Sequence, residues 1–291
     1  MGDAVKARAS AKSVEQEVPE KGPIRVVVVG AASPFGIEAF RSLSQWGKIV
    51  FLLAIDQHEV GKSMRALAGG RSANIKIEEK LGVALDREQC DVLVDFSHSS
   101  AALQHGVSAL KRHVAPVLNA SLSAPEIREL HVASRESGTP ALVVPHLSAG
   151  AVMLIQFCNL AARWMADFEV VDVHSDQRLA SPSAFAKAIA ESVADGWEHR
   201  ELLAHGGIDY ANTHTWEDVK MHLVRLKGSQ HRQEVHFGGP GESISVQYSG
   251  QDPSSILGGL RVAVMGVQAL KGVTVGLEKL MLARGTREPG S

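Results

Sequence analysis

Five consecutive residues, His174, Ser175, Asp176, Gln177 and Arg178, gather an acid–base group, hydroxyl and amide partners and a fixed cation at the exit of the apolar run Phe168 to Val173. A histidine with an ordinary pKa of about 6.5 can hold or release a proton near neutrality, which makes His174 the candidate general acid. Arg178 lies four residues on; its guanidinium stays charged and can grip a carboxylate or carbonyl oxygen, but it cannot donate a proton. Ser181-Pro182-Ser183 reads as a helix start, with Ser181 the cap and Pro182 the first helical position, and the helix runs on through Lys187 and Glu191. The free N–H groups of that helix would face the histidine loop and suit an anion. A plain surface turn between strand and helix fits the same residues.

A reactive loop of this kind needs a strand to hold it and a second unit to bring it a reactant. Ile24-Arg25-Val26-Val27-Val28-Val29 is the β-branched run of a buried parallel strand, followed by Gly30-Ala31-Ala32-Ser33-Pro34-Phe35-Gly36 and a helix to Trp46. Strand, glycine turn and helix together open a dinucleotide-binding unit, whose helix N-terminus holds a pyrophosphate. A second strand, Ile49 to Ile55, ends in Asp56, 20 residues after Gly36, where a carboxylate accepts ribose hydroxyls. Ser33 stands where a middle glycine would let the backbone approach the phosphates, and Ser33-Pro34 is equally an N-cap and first-turn pair.

Further strand–helix units follow. Val92 to Phe96 exits through Ser97-His98-Ser99-Ser100 into a helix Ala101 to Leu110, and Ala115 to Ser121 precedes a helix Ala124 to Ser137. Ala141 to Pro145 completes the series, and His146-Leu147-Ser148-Ala149-Gly150 leads into an apolar helix ending near Met165. Repeated βα units predict a doubly wound parallel sheet. After the central stretch the pattern changes. Val219 to Leu226 alternates, and Gln233 to Phe237 pairs with Ile244 to Tyr248 across Gly238-Gly239-Pro240-Gly241-Glu242. These strands predict a mainly antiparallel sheet with one face on helices and the other against another subunit. Pro253 to Leu270 is expected to be a helix returning toward the first domain.

At 291 residues the chain exceeds the size of a single core, so two domains are expected. A net charge of -2 with scattered Lys and Arg leaves no basic stripe for nucleic acid, and no apolar run reaches the roughly 20 residues of a membrane span. Cys90 and Cys158 lie far apart in apolar surroundings without metal-binding spacing, and read as buried thiols of a reducing, cytoplasmic compartment. No metal is expected.

In order along the chain, VVVVGAASPFG, DVLVDFSHSSAA, APVLNASLS, VVPHLSAGAVMLIQF, DVHSDQRLASPSAFA and HRQEVHFGGPGESISVQYSGQDPSSILGGLRVAV resemble the 4-hydroxy-tetrahydrodipicolinate (dihydrodipicolinate) reductase family, NAD(P)H-dependent enzymes of lysine and diaminopimelate synthesis. The resemblance covers residues 24 to 272. It implies an α/β fold: a Rossmann-like doubly wound parallel sheet plus a second α+β domain with a mainly antiparallel sheet that also builds a homotetramer. On these motifs it places Gly30, Ser33, Pro34, Phe35, Gly36, Asp56, Phe96, Ser97 and Asn119 at the cofactor. His146, Asn119, Ser175, Ser183, Ala184 and Phe185 fall at the substrate, with His174 and Arg178 catalytic.

The departures from the family fall on the chemistry. Its central motif has two adjacent histidines, a lysine three residues after the second, then Asp-Ala-Pro-Ser-Gly-Thr. Here Ser175 replaces the second histidine, Arg178 the lysine and Ala180 the aspartate, while Ala184-Phe185 replace Gly-Thr. The family's Gly-Thr-Thr-Gly turn has become Leu118-Asn119-Ala120-Ser121. Asp56 is followed by Gln57 without an arginine to neutralise a 2′-phosphate, which favours NAD(H) over NADP(H) if either is used.

The expected organisation is a tail over 1–22, a dinucleotide-binding domain over 23–147, a substrate and oligomerisation domain over 148–252, C-terminal helices over 253–283 returning to the first domain, and a tail over 284–291. Three functions remain open. One is a diverged reductase of a C=N or conjugated C=C bond in a small, non-standard substrate of biosynthetic or specialised metabolism. Another is a cyclase, dehydratase or isomerase that has lost nicotinamide-dependent hydride transfer. The last is a ligand-binding pseudoenzyme.

Overall fold

A computed structural model describes residues 22–69, 74–97, 99–175, 182–198, 214–250 and 252–285. The first part alternates strand and helix: β1 (Ile24–Val29), α1 (Pro34–Leu43), β2 (Ile49–Ile55), α2 (Met64–Ala68), β3 (Ile77–Glu78), α3 (Leu81–Arg87), β4 (Val92–Asp95), α4 (Ser99–Leu110), β5 (Ala115–Leu118), α5 (Ala124–Ser137), β6 (Ala141–Val143) and α6 (Ala149–Ala162). The second part holds β7 (Asp167–His174), α7 (Ala184–Glu198), β8 (His214–Trp216), β9 (Val219–Arg225), β10 (Arg232–Gly239) and β11 (Glu242–Tyr248). The chain then continues through α8 (Leu257–Gly266), β12 (Val273–Val275) and α9 (Glu278–Gly285).

The first sheet has seven strands in the order β12-β6-β5-β4-β1-β2-β3, and each of its ladders is parallel. Helices cover both faces, which is why the valines of β1 show no polar alternation: Val26 and Val28 enter one core, Val27 and Val29 the other. The strand order reverses between β1 and β4, and ligands of such sheets bind in the crevice at that reversal.

Around β7 lies a mixed sheet of five strands, β11-β10-β7-β9-β8. Three ladders are antiparallel, but β7 and β9 run parallel, contrary to a simple meander, because α7 crosses over between them. The β8–β9 hairpin closes on Glu217 and Asp218, both at positive φ (50° and 60°), the twist a two-residue turn needs. Helices α6 and α7 cover one face, where Leu154, Cys158, Val170, Ile189, Val193, Met221, Val235 and Phe237 form the core. The opposite face is mixed: it carries the exposed Val224 together with polar pairs, His222 Nε2 2.9 Å from Glu169 and His236 Nδ1 2.9 Å from Ser245 Oγ.

The expected single helix over Pro253 to Leu270 is broken into a 3₁₀ turn (Pro253–Ile256), α8 and a second 3₁₀ turn (Val267–Ala269). Glycines at 258, 259 and 266 weaken a continuous helix. Residues 273–275, expected to be helical, form β12 instead and extend the first sheet beside β6. Among the described residues no helix is long and apolar enough to cross a membrane, and no cluster could hold a metal ion.

Candidate functional site

One buried carboxylate fixes the end of β7. Asp172, fully buried, accepts from the Ser183 hydroxyl and Gln233 Nε2 on one oxygen (2.9 and 3.0 Å), and from the Ser183 N–H and Arg225 Nη2 on the other (2.9 Å each). Arg225 Nη1 also donates to the Asp172 carbonyl at 2.6 Å. Burial pushes this carboxyl up, but the bonds from Gln233, Ser183 and Arg225 outweigh it and hold the group below the usual aspartate range. β9, β10 and the start of α7 are thus tied to one residue, and His174, two positions on, shares its side of β7.

Helix α7 begins at Ala184, and its cap is Ser183, whose Oγ accepts from the Ala186 N–H at 3.1 Å. Ser181, the expected cap, lies outside the described residues, and Pro182 precedes the cap rather than opening the helix. Ser183 has been assigned to the substrate, but its hydroxyl is spent on Asp172 and on the cap, so it organises the site from beneath.

Phe185 stands at the second position of α7, its ring 4.6 Å from that of His146 and 5.4 Å from that of Tyr248. The Tyr248 hydroxyl donates to Ser148 Oγ at 2.8 Å, linking the end of β11 to the residue that caps α6. His146 is desolvated in this cluster; burial lowers its pKa to about 4, and its buried Nε2 has no hydrogen-bond partner among the described residues. It is therefore a neutral imidazole at physiological pH.

The second region is a cleft of about 820 Å³ at the strand reversal, lined among others by Gly30, Ser33, Pro34, Asp56, Phe96, Ser97 and His105. Gly30 has φ +71°, and a Cβ there would lie 2.7 Å from the Phe96 carbonyl carbon; one at Gly36 would strike the carbonyl oxygens of Gly30 and Ala31. Both glycines are thus required for the tight turn. Ser33 Oγ donates to the Gly30 carbonyl and accepts from the Gly36 N–H, closing the turn on itself. Asp56 accepts from the N–H groups of Ala32 and His58, both at 2.9 Å, and lines the cleft where a ribose would lie. Among the described residues the lining includes Glu59 and Glu79 but no Lys or Arg. These residues fit a dinucleotide: close backbone at the turn, a carboxylate at the end of β2, and room for an extended ligand.

The geometry brings Gly30, Ser33, Pro34, Asp56, Phe96 and Ser97 into this cleft and sets Phe35 against Phe96, with ring centroids 6.2 Å apart. Asn119 follows β5 and donates its N–H to the Asp95 carbonyl. Arg178 and His98 lie outside the described residues. Sequence reasoning did not single out Asp95 and His105, which pair at 2.8 Å with the N–H of Ser97 on the other Asp95 oxygen at 2.6 Å. Their signal was a carboxylate at a strand exit with a histidine ten residues on. It missed Asp172 and Tyr248 as well, though Asp172 sits two residues before His174 on an alternating strand.

Residues 24–146 match the family described as dihydrodipicolinate reductase, N-terminus, and residues 150–281 match dihydrodipicolinate reductase, C-terminus. The chain is 34% identical over 262 residues to a 4-hydroxy-tetrahydrodipicolinate reductase of Moorella thermoacetica, covering 89% of this chain and 98% of that one. A dipicolinate-bound dihydrodipicolinate reductase from Paenisporosarcina superimposes with a TM-score of 0.74 at 21% identity, over 88% of this chain and 99% of that one. GenD2 of gentamicin A biosynthesis, solved with NAD, shares the fold at a TM-score of 0.61 and 13% identity, over 91% of this chain and 92% of that one. With both halves of the chain matched in order and across nearly the full length of its relatives, this protein belongs to the dihydrodipicolinate reductase family.

Proposed function

We propose that this protein is an NAD(H)-dependent reductase of a C=N or conjugated C=C bond in a small anionic substrate other than hydroxy-tetrahydrodipicolinate, and that it works as a homotetramer. The observation that carries the substrate reading is Phe185, packed between His146 and Tyr248. It presents apolar surface where the family pattern has a hydroxyl for a substrate carboxylate, and the neutral His146 beside it offers no compensating charge. The acidic residues of the cleft, Asp56, Glu59 and Glu79, support NAD(H), since they would repel a 2′-phosphate.

A dihydronicotinamide bound in the cleft would supply a hydride to the substrate carbon. His174 gives a proton to the atom that receives the π electrons, and Arg178 anchors a substrate oxygen. The network on Asp172 keeps the strand under His174 rigid. One observation favours a non-redox enzyme instead: the exit of β5 carries the buried Leu118 and the exposed Ser121 where the family pattern has glycines, so its backbone is less open to a nicotinamide.

The test is a titration of the purified protein with NADH and NADPH, together with complementation of a diaminopimelate auxotroph lacking its own reductase. The expected result is saturable NADH binding without rescue. Rescue would overturn the substrate reading, and absence of binding by either nucleotide would overturn hydride transfer.

A further inference from the structure

Helix α5 carries Arg128, His131 and Arg135 at helical spacing, so the three residues share one face. Beside that face runs the loop 270–272. Between helix and loop lies a groove of about 730 Å³, lined by Arg128, His131, Arg135 and Lys271 together with the apolar Pro140 and Leu270. Pro140 directly precedes β6 and Lys271 comes just before β12, and the two strands run parallel, so the groove opens at the edge where these strands begin. The nucleotide cleft opens at the opposite edge, where β1, β2 and β4 end.

The cations of this groove differ from others in the molecule. Arg25, Arg87, Arg112, Arg225 and Arg232 each reach a carboxylate at 2.6–2.9 Å. Among the described residues, the side chains of Arg128, Arg135 and Lys271 have no hydrogen-bond or ion-pair partner. The carboxylates of α5 do not line the groove, and Glu126 is occupied at the helix start, accepting from the Ser123 N–H and hydroxyl at 2.7 and 2.6 Å. A cation in the last helical turn complements the helix dipole, which accounts for Arg135. It accounts neither for Arg128, near the start of α5, nor for Lys271 on the loop.

We propose that this groove is a second ligand site, one that takes a small polyanion of linked phosphates. Arg128 and Arg135 stand two turns apart, about 10 Å along the helix axis, a spread that suits several joined anionic groups better than one. Guanidinium forks take phosphate oxygens in pairs, and the Lys271 ammonium adds a point charge from the other wall. The ligand supplies the counter-charge that the carboxylates of α5 do not. Because the groove and the nucleotide cleft lie at opposite edges of the sheet, the site fills independently of a dinucleotide.

Calorimetric titration of the full chain with inorganic triphosphate, at about 0.15 M salt to screen loose surface attraction, tests this. The expected result is saturable binding of one triphosphate per chain, unchanged by excess NADH, with single phosphate binding at least about tenfold more weakly. The double variant Arg135→Gln with Lys271→Gln should lose at least about tenfold in triphosphate affinity while keeping the parent's melting temperature, since both side chains are exposed. Arg128→Gln serves in its place if the double variant does not fold. Absence of saturable binding, displacement by NADH, equal affinity for single phosphate, or full affinity in the folded variant would each overturn the proposal.

Discussion

Arg225 reaches from β9 to Asp172 on β7 with Nη2 2.9 Å from the carboxylate and Nη1 2.6 Å from the carbonyl of the same residue. Both side chains are largely buried, at 13% and 0% exposure, so neither tolerates loss of the other. Arg225→Ala should therefore destabilise the protein by about 3–5 kcal/mol, read from urea unfolding. The folded-state pKa of Asp172 lies below its unfolded value, so its contribution is full above about pH 4 and disappears as pH falls further through the folded value. Asp172→Asn should accordingly flatten stability on that most acidic limb.

His146 acts in the same sense, at a higher pH. Its folded pKa of about 4 lies below the ordinary 6.5, so the folded state resists protonation and loses stability as pH falls from 6.5 toward 4. The full difference corresponds to about 3 kcal/mol. His146→Phe should abolish this loss, and urea midpoints at pH 7 and pH 4.5 should then differ by less in the variant than in the parent.

At the dinucleotide turn, Gly30→Ala places a methyl group against the Phe96 backbone at a φ of +71°. Strain of about 1–3 kcal/mol is expected, seen as a lower melting temperature. NADH affinity should fall at least about tenfold, a change of 1.4 kcal/mol in binding.

Cofactor choice should follow the charge at the end of β2. NADH is expected to bind at least about tenfold more tightly than NADPH, and Asp56→Ser combined with Gln57→Arg should narrow or invert that ratio. Fluorescence titration of both nucleotides against parent and variant measures it. Equal binding by the parent would contradict the electrostatic reading of the cleft.

Light scattering at micromolar concentration should find a tetramer. Val224, 38% exposed on the uncovered face of the second sheet, is a suitable probe. Val224→Asp should shift the population toward smaller species, whereas a monomeric parent would reject the assembly.

Much of the first sheet was legible because its signals are local. The valine run of β1, the turn between Gly30 and Gly36 and the position of Asp56 each follow from residues adjacent in the chain. What escaped depends on register or burial. His231 lies 56 residues from Ser175, and only the pairing of β7 with β10 brings them together. Ser181 and Ser183 flank Pro182 alike, and local rules favour the first; the buried Asp172, needing donors, explains why the second is used. His146 was placed at the substrate by resemblance alone, and its packing against Phe185, far along the sequence, could not be read from its neighbours in the chain.

The pairing of β12 with β6 makes the five-stranded sheet and its helices an insertion within the path of the seven-stranded sheet. The polypeptide must cross between the two bodies twice, outward near Ser148 and back after Tyr248, and the bond between those two side chains clips the crossings together. A swing about that clip, like a door on paired hinge leaves, disturbs these two connections least. Shear or twist would pull the two connections apart. Cutting the Tyr248 hydroxyl away would loosen the axis itself while leaving every residue of the cleft in place.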